Sequence, residues 1–299
     1  MNDRSNADAR PDHGEIGGSQ MTIALPFSAS PLDTFLRFLP DSVRALVEQP
    51  LRRPSLPLTL AWSETVQSYR RSLLGPLWIT LNLLIFTFSM TLVYGALFSV
   101  PTMEYAGFLT CGMIVWFWVL ALLNEVGNTF INYGHFVKNT PIDKAILIWA
   151  TVYKQVIVLG HHLIAYAGLV AFGLIDLTFY TLLAIPAFII LFLMSVPITA
   201  VMAIHFPRFR DLSRLITSFM LVLLMVTPIF WHPSMLKGWR RLIIDFNPIY
   251  YMVELVRSPL LGKPIEPVVA LAALGMTLVF WAIGAFAYRR YGKYVVFWL

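Results

Sequence analysis

Six long stretches of the chain carry no Asp, Glu, Lys or Arg: residues 72–103, 105–124, 155–175, 177–207, 215–236 and 267–288. Each is long enough for the roughly 20 apolar residues that a helix needs to cross about 30 Å of hydrocarbon. The third extends backwards through the apolar run 145–153. This pattern predicts an all-α polytopic membrane protein with about six transmembrane helices, at about 74–99, 105–127, 144–174, 177–204, 213–232 and 267–288. Ahead of the first, Leu58, Trp62, Val66, Tyr69 and Leu73 fall on one helical face, with Glu64 and Arg71 roughly opposite. That is the pattern of an amphipathic helix lying in the membrane interface with Trp and Tyr at headgroup level. A helix packed on a partner is the other account of it. Gly75-Pro76 then stands where the chain must turn into the bilayer.

The first 20 residues mix Asp, Arg, Asn, Gly and Ser without periodicity and lack the apolar core of a signal peptide. Residues 31–49 have a weakly amphipathic pattern, and Pro50, Pro54 and Pro57 mark a linker. Residues 1–54 are therefore expected to be a cytoplasmic tail and linker, largely disordered, ahead of a membrane domain at 55–299.

Composition agrees with the pattern. Hydrophobic residues make up 58% of the 299 and charged residues 13%, against about 25% charged in a soluble domain. The net charge of +6 comes with no nucleic-acid motif, so no nucleic-acid partner is expected; its distribution gives orientation instead. Placing both termini in the cytoplasm gathers Arg52, Arg53, Arg70, Arg71, Lys138, Lys144, Arg208, Arg210, Arg214, Arg289, Arg290 and Lys293 on that side. Segment 233–266 is the exception, an outer segment with five Lys or Arg. In it Asn247-Pro248 reads as an N-cap and first-turn pair, Tyr250, Glu254 and Arg257 share a face, and 236–245 is also helical in pattern. Both pieces are too short to span, which predicts a re-entrant helical hairpin in the outer leaflet between spans five and six.

Two cytoplasmic links stand out. Between spans two and three, Thr140-Pro141-Ile142-Asp143 reads as a helix start with Thr140 as the cap. Upstream, Phe130, Tyr133, Phe136 and Val137 give a short helix with an aromatic face toward the cytoplasm, either a docking surface or a plain connection. Between spans four and five, 205–214 is explained by Asp211 capping the next span and three arginines among the headgroups. Within the spans, Lys154 is expected to face a cavity, pair with Glu125 or snorkel toward the headgroups. Adjacent His161 and His162 point in different directions on a helix and lack a third ligand, so no metal site is expected. Cys111 is a lone packed thiol. The chain contains no phosphate-binding Gly-rich loop with Lys, no Gly-x-Ser-x-Gly and no His-Glu-x-x-His. It is expected to be neither an enzyme nor a cofactor binder, and any energy must come from elsewhere.

Four motifs in order carry a resemblance. Tyr69–Trp78 (YRRSLLGPLW), Arg208–Asp211 (RFRD), Thr227–Trp231 (TPIFW) and Asn247–Tyr251 (NPIYY) resemble the membrane permeases of polysaccharide-exporting ABC transporters, which carry O-antigen, capsule or teichoic-acid chains. The similarity covers about residues 55–299. It implies a homodimer joined to two copies of an ATP-binding cassette subunit, with ATP and Mg bound in that partner. It further implies a lipid-linked glycan as substrate and the bacterial cytoplasmic membrane as location. Contact with the ATP-binding subunit would fall to Trp62, Glu64, Arg70, Arg71, Phe136 and Lys138. The channel and outer gate would draw on Tyr94, Phe98, Trp116, Phe117, Trp118, Trp231, Tyr250, Tyr251, Glu254 and Arg257. The nearest alternative is a drug- or lipid-exporting permease of the same superfamily; a membrane-embedded glycosyltransferase or acyltransferase is more distant.

Overall fold

The computed structural model describes residues 31–98 and 101–299. Residues 1–30, which hold most of the expected tail, and 99–100 lie outside the described residues. Among the described residues there is no strand. Pro31–Phe38 forms α1, a separate unit. The second unit begins with α2 (Asp41–Arg52) and α3 (Ser55–Ser68), so the proline-rich linker is helical and breaks only at 53–54. Pro50 is accommodated in the last turn of α2, and Pro57 lies in the first turn of α3, where a missing N–H costs nothing.

Among the described residues, five helices are long and apolar enough to cross a membrane. They are α4 (Leu77–Phe98); α5 (Thr102–Asn124), extended by a tight turn and the short α6 (Thr129–Asn132); α8 (Lys144–Ala171), which follows α7 (Gly134–Asn139); α9 (Ala184–Arg208); and α13, introduced below. The fifth predicted span is shorter than a crossing. Its helix α10 (Asp211–Val226) has 16 residues, about 24 Å at 1.5 Å per residue. It stops where Pro228 forces Thr227 into an extended conformation (φ −77°, ψ 132°). The chain then turns through short 3₁₀ segments into α11 (Leu242–Asp245) and α12 (Pro248–Leu260), which form the re-entrant hairpin. The last crossing is α13 (Pro267–Tyr291), followed by α14 (Val295–Trp298).

Helix α5 is the axis of the bundle, with 72% of its most apolar window buried, against 22% for α4, α8 and α13. It packs against α4, α8, α9, α10 and α12. The outer helices leave broad apolar surface, such as Ile85, Phe88 and Leu278, for lipid. Helix α3 lies along α8, burying Pro57, Ala61 and Thr65 and leaving Leu58, Trp62 and Val66 exposed. The turn into α4 needs left-handed backbone at Arg71 (φ 69°) and Gly75 (φ 55°), which glycine supplies without strain and arginine does not.

Small residues set the closest helix contacts, as expected where backbones must approach without help from water. A Cβ on Gly284 of α13 would stand 2.5 Å from the Pro197 side chain and 2.7 Å from its backbone on α9. Gly275, on the same helix, has nothing within 4 Å of that position. Gly284→Leu is therefore expected to destabilise the protein by about 1–3 kcal/mol or more, whereas Gly275→Leu is expected to change little. Thermal unfolding of the two variants in one detergent measures the difference.

Candidate functional site

Two features lie on α5, one toward each end. At the end bearing α7, a polar cavity of about 620 Å³ opens between α3, α4, α5 and α8. Asn82 of α4, Phe117, Asn124 and Glu125 at the end of α5, Lys154 and Gln155 of α8 and Thr217 of α10 line it. A smaller space of about 280 Å³ shares Glu125, Lys154 and Gln155 and adds Glu64, Asn128 and Tyr133. Lys154, about 15 Å along α8 from its first residue, approaches Glu64 at 3.8 Å. Of the three expectations for this lysine the structure shows a cavity and a partner, and the partner is Glu64 of α3, not Glu125. Gln155 Nε2 donates to Glu125 at 3.4 Å. Burial, and then the Glu64 charge, raise the Tyr133 phenol above its ordinary pKa, so it stays protonated; its hydroxyl makes no well-formed hydrogen bond.

The segment between α5 and α8 differs from its reading in two respects. Phe130, Tyr133 and Val137 point inward and are buried, while Phe136 is 49% exposed. The inward residues lie where α6 packs on α8 and α9 and α7 packs on α14, so the bundle takes the aromatic face and only Phe136 is presented outward. The cap of α8 is Asp143, not Thr140: its Oδ1 accepts from the Ala145 amide at 2.8 Å and from the Tyr288 hydroxyl at 2.8 Å. Asp211, expected as a cap, is instead the first residue of α10 and lies 3.9 Å from Arg214. Trp62, Arg70 and Arg71 are exposed, and Lys138 borders a groove with Arg210 and Trp298.

At the other end the hairpin is held by hydrogen bonds that satisfy its interrupted backbone. Asn247 Oδ1 accepts from the Ile249 amide at 3.0 Å, making the predicted cap, while its Nδ2 donates to Thr227 Oγ1 at 2.9 Å. The Tyr105 hydroxyl donates to the Phe230 carbonyl at 2.7 Å. Arg257, 1% exposed, donates to the Pro228 carbonyl at 2.7 Å, pairs with Glu254 and lies 4.2 Å over the Phe108 ring. Glu254 also accepts from Ser258. Sequence reading placed Glu254 and Arg257 on one face; it missed Tyr105, Phe108 and Pro228, which come from other segments. The absence of a side chain at Gly112 is the one local signal, since a Cβ there would stand 3.6 Å from Arg257 Nη1 and from Ile229.

Between the two ends runs a series of rings. His162 stacks on Phe117 at 5.5 Å; Phe117 meets Phe86 at 6.4 Å, and Phe86 meets Phe230 at 6.2 Å. Phe230 stacks on Tyr94 at 5.6 Å, and Phe98, Tyr105 and Phe108 follow at 5.7, 6.4 and 6.3 Å. Tyr94, Phe98 and Phe117 of the sequence-predicted channel set belong to this series. Trp116 and Trp118 are buried in the core of the bundle, with Trp118 donating to Ser195 at 2.9 Å. Adjacent residues on a helix cannot share a face, which separates these two from Phe117. Trp231 bonds to the Met225 carbonyl, and Tyr251 to that of Asp245, with Tyr250 packed edge-on against Tyr251.

A family model described as ABC-2 type transporter matches residues 57–261, from α3 to the end of the hairpin. The chain belongs to the ABC-2 type transporter family. It is a multi-pass membrane permease, and the family implies an ATP-binding cassette partner. A comparison with curated proteins finds no match. Among the described residues no cluster of His, Cys, Asp or Glu is arranged to hold a metal ion.

Truncating Arg257 leaves Glu254 and the Pro228 carbonyl short of a partner, and losing one half of a buried pair costs about 3–5 kcal/mol. In Arg257→Met, amide exchange across Pro248–Leu260 is expected to rise by more than about a hundredfold, with exchange in α9 and α13 little changed. Mass-resolved hydrogen exchange of the purified permease reads both.

Proposed function

We propose that this ABC-2 permease exports a lipid-linked polysaccharide across the bacterial cytoplasmic membrane. In this reading it works as a homodimer with two ATP-binding subunits, and both its termini lie in the cytoplasm. The observation that carries the substrate is the ring series, of which Phe86, Tyr94, Phe98 and Phe117 are half-buried and keep part of their faces open. A long glycan must slide without being held. Flat aromatic faces suit that because they meet the C–H faces of successive sugars with little directional bonding. The four motifs that resemble glycan-exporting permeases support the same class. Two of them, Thr227–Trp231 and Asn247–Tyr251, join at the Asn247–Thr227 bond.

ATP-driven movement would enter through α3 and the exposed Phe136 of α7, the apolar side chain that α7 presents outward. It would pass to α8 through the Glu64–Lys154 contact and along α5 to the hairpin. The Arg257 clamp would then be the closed state of the outer gate, which opens when Phe108 and Pro228 separate.

Deleting the permease from its native host is expected to trap lipid-linked glycan on the cytoplasmic leaflet and to remove it from the surface, as read by leaflet-selective glycan labelling. An unchanged surface glycan together with loss of efflux of a small amphiphile would move the chain to the drug- or lipid-exporting class. With the wild-type gene restored, Phe136→Ala is expected to lower export severalfold, and Tyr94→Ala likewise, at unchanged amounts of membrane-inserted protein. Export at the wild-type rate in either would remove that residue from the pathway.

A further inference from the structure

The cavity between α3, α4, α5 and α8 is lined by a polar side chain whose hydrogen-bonding groups have no partner in the protein among the described residues. His162 is only 6% exposed, lines the cavity and has a ring contact with Phe117 at 5.5 Å and 26°. Neither of its ring nitrogens bonds to a protein group among the described residues, although its neighbour His161 bonds to the Ile157 carbonyl. The His162 nitrogens are open to the cavity, so a molecule held there can bond to them. Glu125, an exposed residue, turns its carboxylate to the same space. Lys154, the cation lining the same space, is taken by Glu64, so Glu125 is left with a 3.4 Å bond from Gln155. Around these two stand the Phe117 ring and the amides of Asn82 and Asn124. The volume of about 620 Å³ falls within the usual range of ligand pockets, roughly 300–1,000 Å³.

Resting on the reading of the chain as a glycan exporter, we propose that this cavity is a saccharide subsite which accepts uncharged or amine-bearing sugars and rejects acidic ones, with Glu125 as the discriminating group. A sugar ring has an apolar C–H face for Phe117 and hydroxyls that both donate and accept. Neutral imidazole and amide groups match that dual character. The carboxylate accepts hydroxyl or ammonium protons but repels a uronate: Lys154, the cation of the lining, is paired with Glu64 of the adjoining space, which leaves Glu125 as the unbalanced charge facing the cavity.

The test uses the detergent-purified full transporter complex and three oligosaccharide probes of equal length: an N-acetylglucosamine trimer, its deacetylated form and a galacturonic acid trimer. Tetraphenylphosphonium serves as a non-sugar cation, and binding is read by microscale thermophoresis. The neutral and amine-bearing trimers are expected to bind at least about tenfold more tightly than the uronate. In Glu125→Gln the amine preference should disappear and the uronate should gain, and Glu125→Asp should restore the wild-type order. His162→Phe should weaken all sugars together while leaving the charge order intact. Uronate binding as tight as the neutral trimer in the wild type, or an order unchanged in Glu125→Gln, overturns the proposal. Should no sugar bind while tetraphenylphosphonium binds in a Glu125-dependent way, the saccharide subsite is overturned together with the glycan reading. Sugar binding that is insensitive to both substitutions overturns the site and leaves the glycan reading standing.

Discussion

A chain that turns back before it has crossed a membrane exposes backbone groups where no water can reach them, and the hairpin of this permease is organised by that constraint. Helix α10 stops after 16 residues, and the carbonyls of Pro228 and Phe230 then need donors. Arg257 and Tyr105 supply them, each from a different helix. The amide of Ile249 takes its acceptor from Asn247, which also reaches back to Thr227. The partners of the hairpin are thus drawn from α5, from α12 and from the hairpin's own entry, which fixes its depth and orientation against the bundle. A buried guanidinium is retained because it meets two demands at once: it satisfies a carbonyl, and it holds the carboxylate of Glu254.

The same constraint explains why polarity is concentrated at two places. The hydrophobic spans of α4, α8 and α13 need only helix-internal bonds and lipid-facing side chains. Charged side chains within the bundle cluster where the backbone is broken, at the hairpin, or at the cavity, beside Glu125 and Lys154, whereas buried hydroxyls such as those of Thr87, Ser195 and Thr277 within the spans bond to carbonyls of their own helices. Between these regions the protein places rings. They fill the space between α4, α5 and the hairpin without presenting hydrogen-bonding groups that would need partners when the packing shifts. An interior of this kind separates at lower cost than a polar network does, a property suited to a pathway that must open and reclose.

The spans were legible because uncharged runs of 20 or more residues leave a chain few alternatives. The hairpin was legible because Asn247-Pro248 and the Tyr250, Glu254, Arg257 spacing are local signals with a local physical cause. What the sequence did not disclose were pairings set by tertiary contact. Lys154 chose Glu64 over Glu125 because α3 lies along α8, a placement that no spacing encodes. Phe130 and Tyr133 turned inward because α6 and α7 pack back onto the bundle, and amphipathic periodicity gives a face but not its direction. The helix start at Thr140 failed for a related reason. Both Thr140 and Asp143 are good caps, and Asp143 won where its carboxylate also receives the Tyr288 hydroxyl from α13. Tyr105 and Phe108 carried no signal, since an aromatic residue near a helix start is ordinary at a membrane interface.

Helix α5 brings these features into one mechanical element. From Gly112, beside Arg257, to Glu125, at the cavity floor, is 13 residues, about 20 Å of continuous helix. Phe117 lies between them, and the segment carrying Phe136 begins a few residues beyond. A helix buried over 72% of its most apolar window cannot bend freely among five packed neighbours, so a displacement at its α7 end is carried to Gly112 as a shift or rotation of the whole rod. A Cβ built on Gly112 would stand 3.6 Å from Arg257 Nη1 and from Ile229, an ordinary van der Waals contact, so the glycine leaves about one methyl group of room beside the hairpin. The room at Gly112 takes no more than a methyl group, so a side chain larger than that of alanine would press on Arg257 and Ile229 and displace the hairpin.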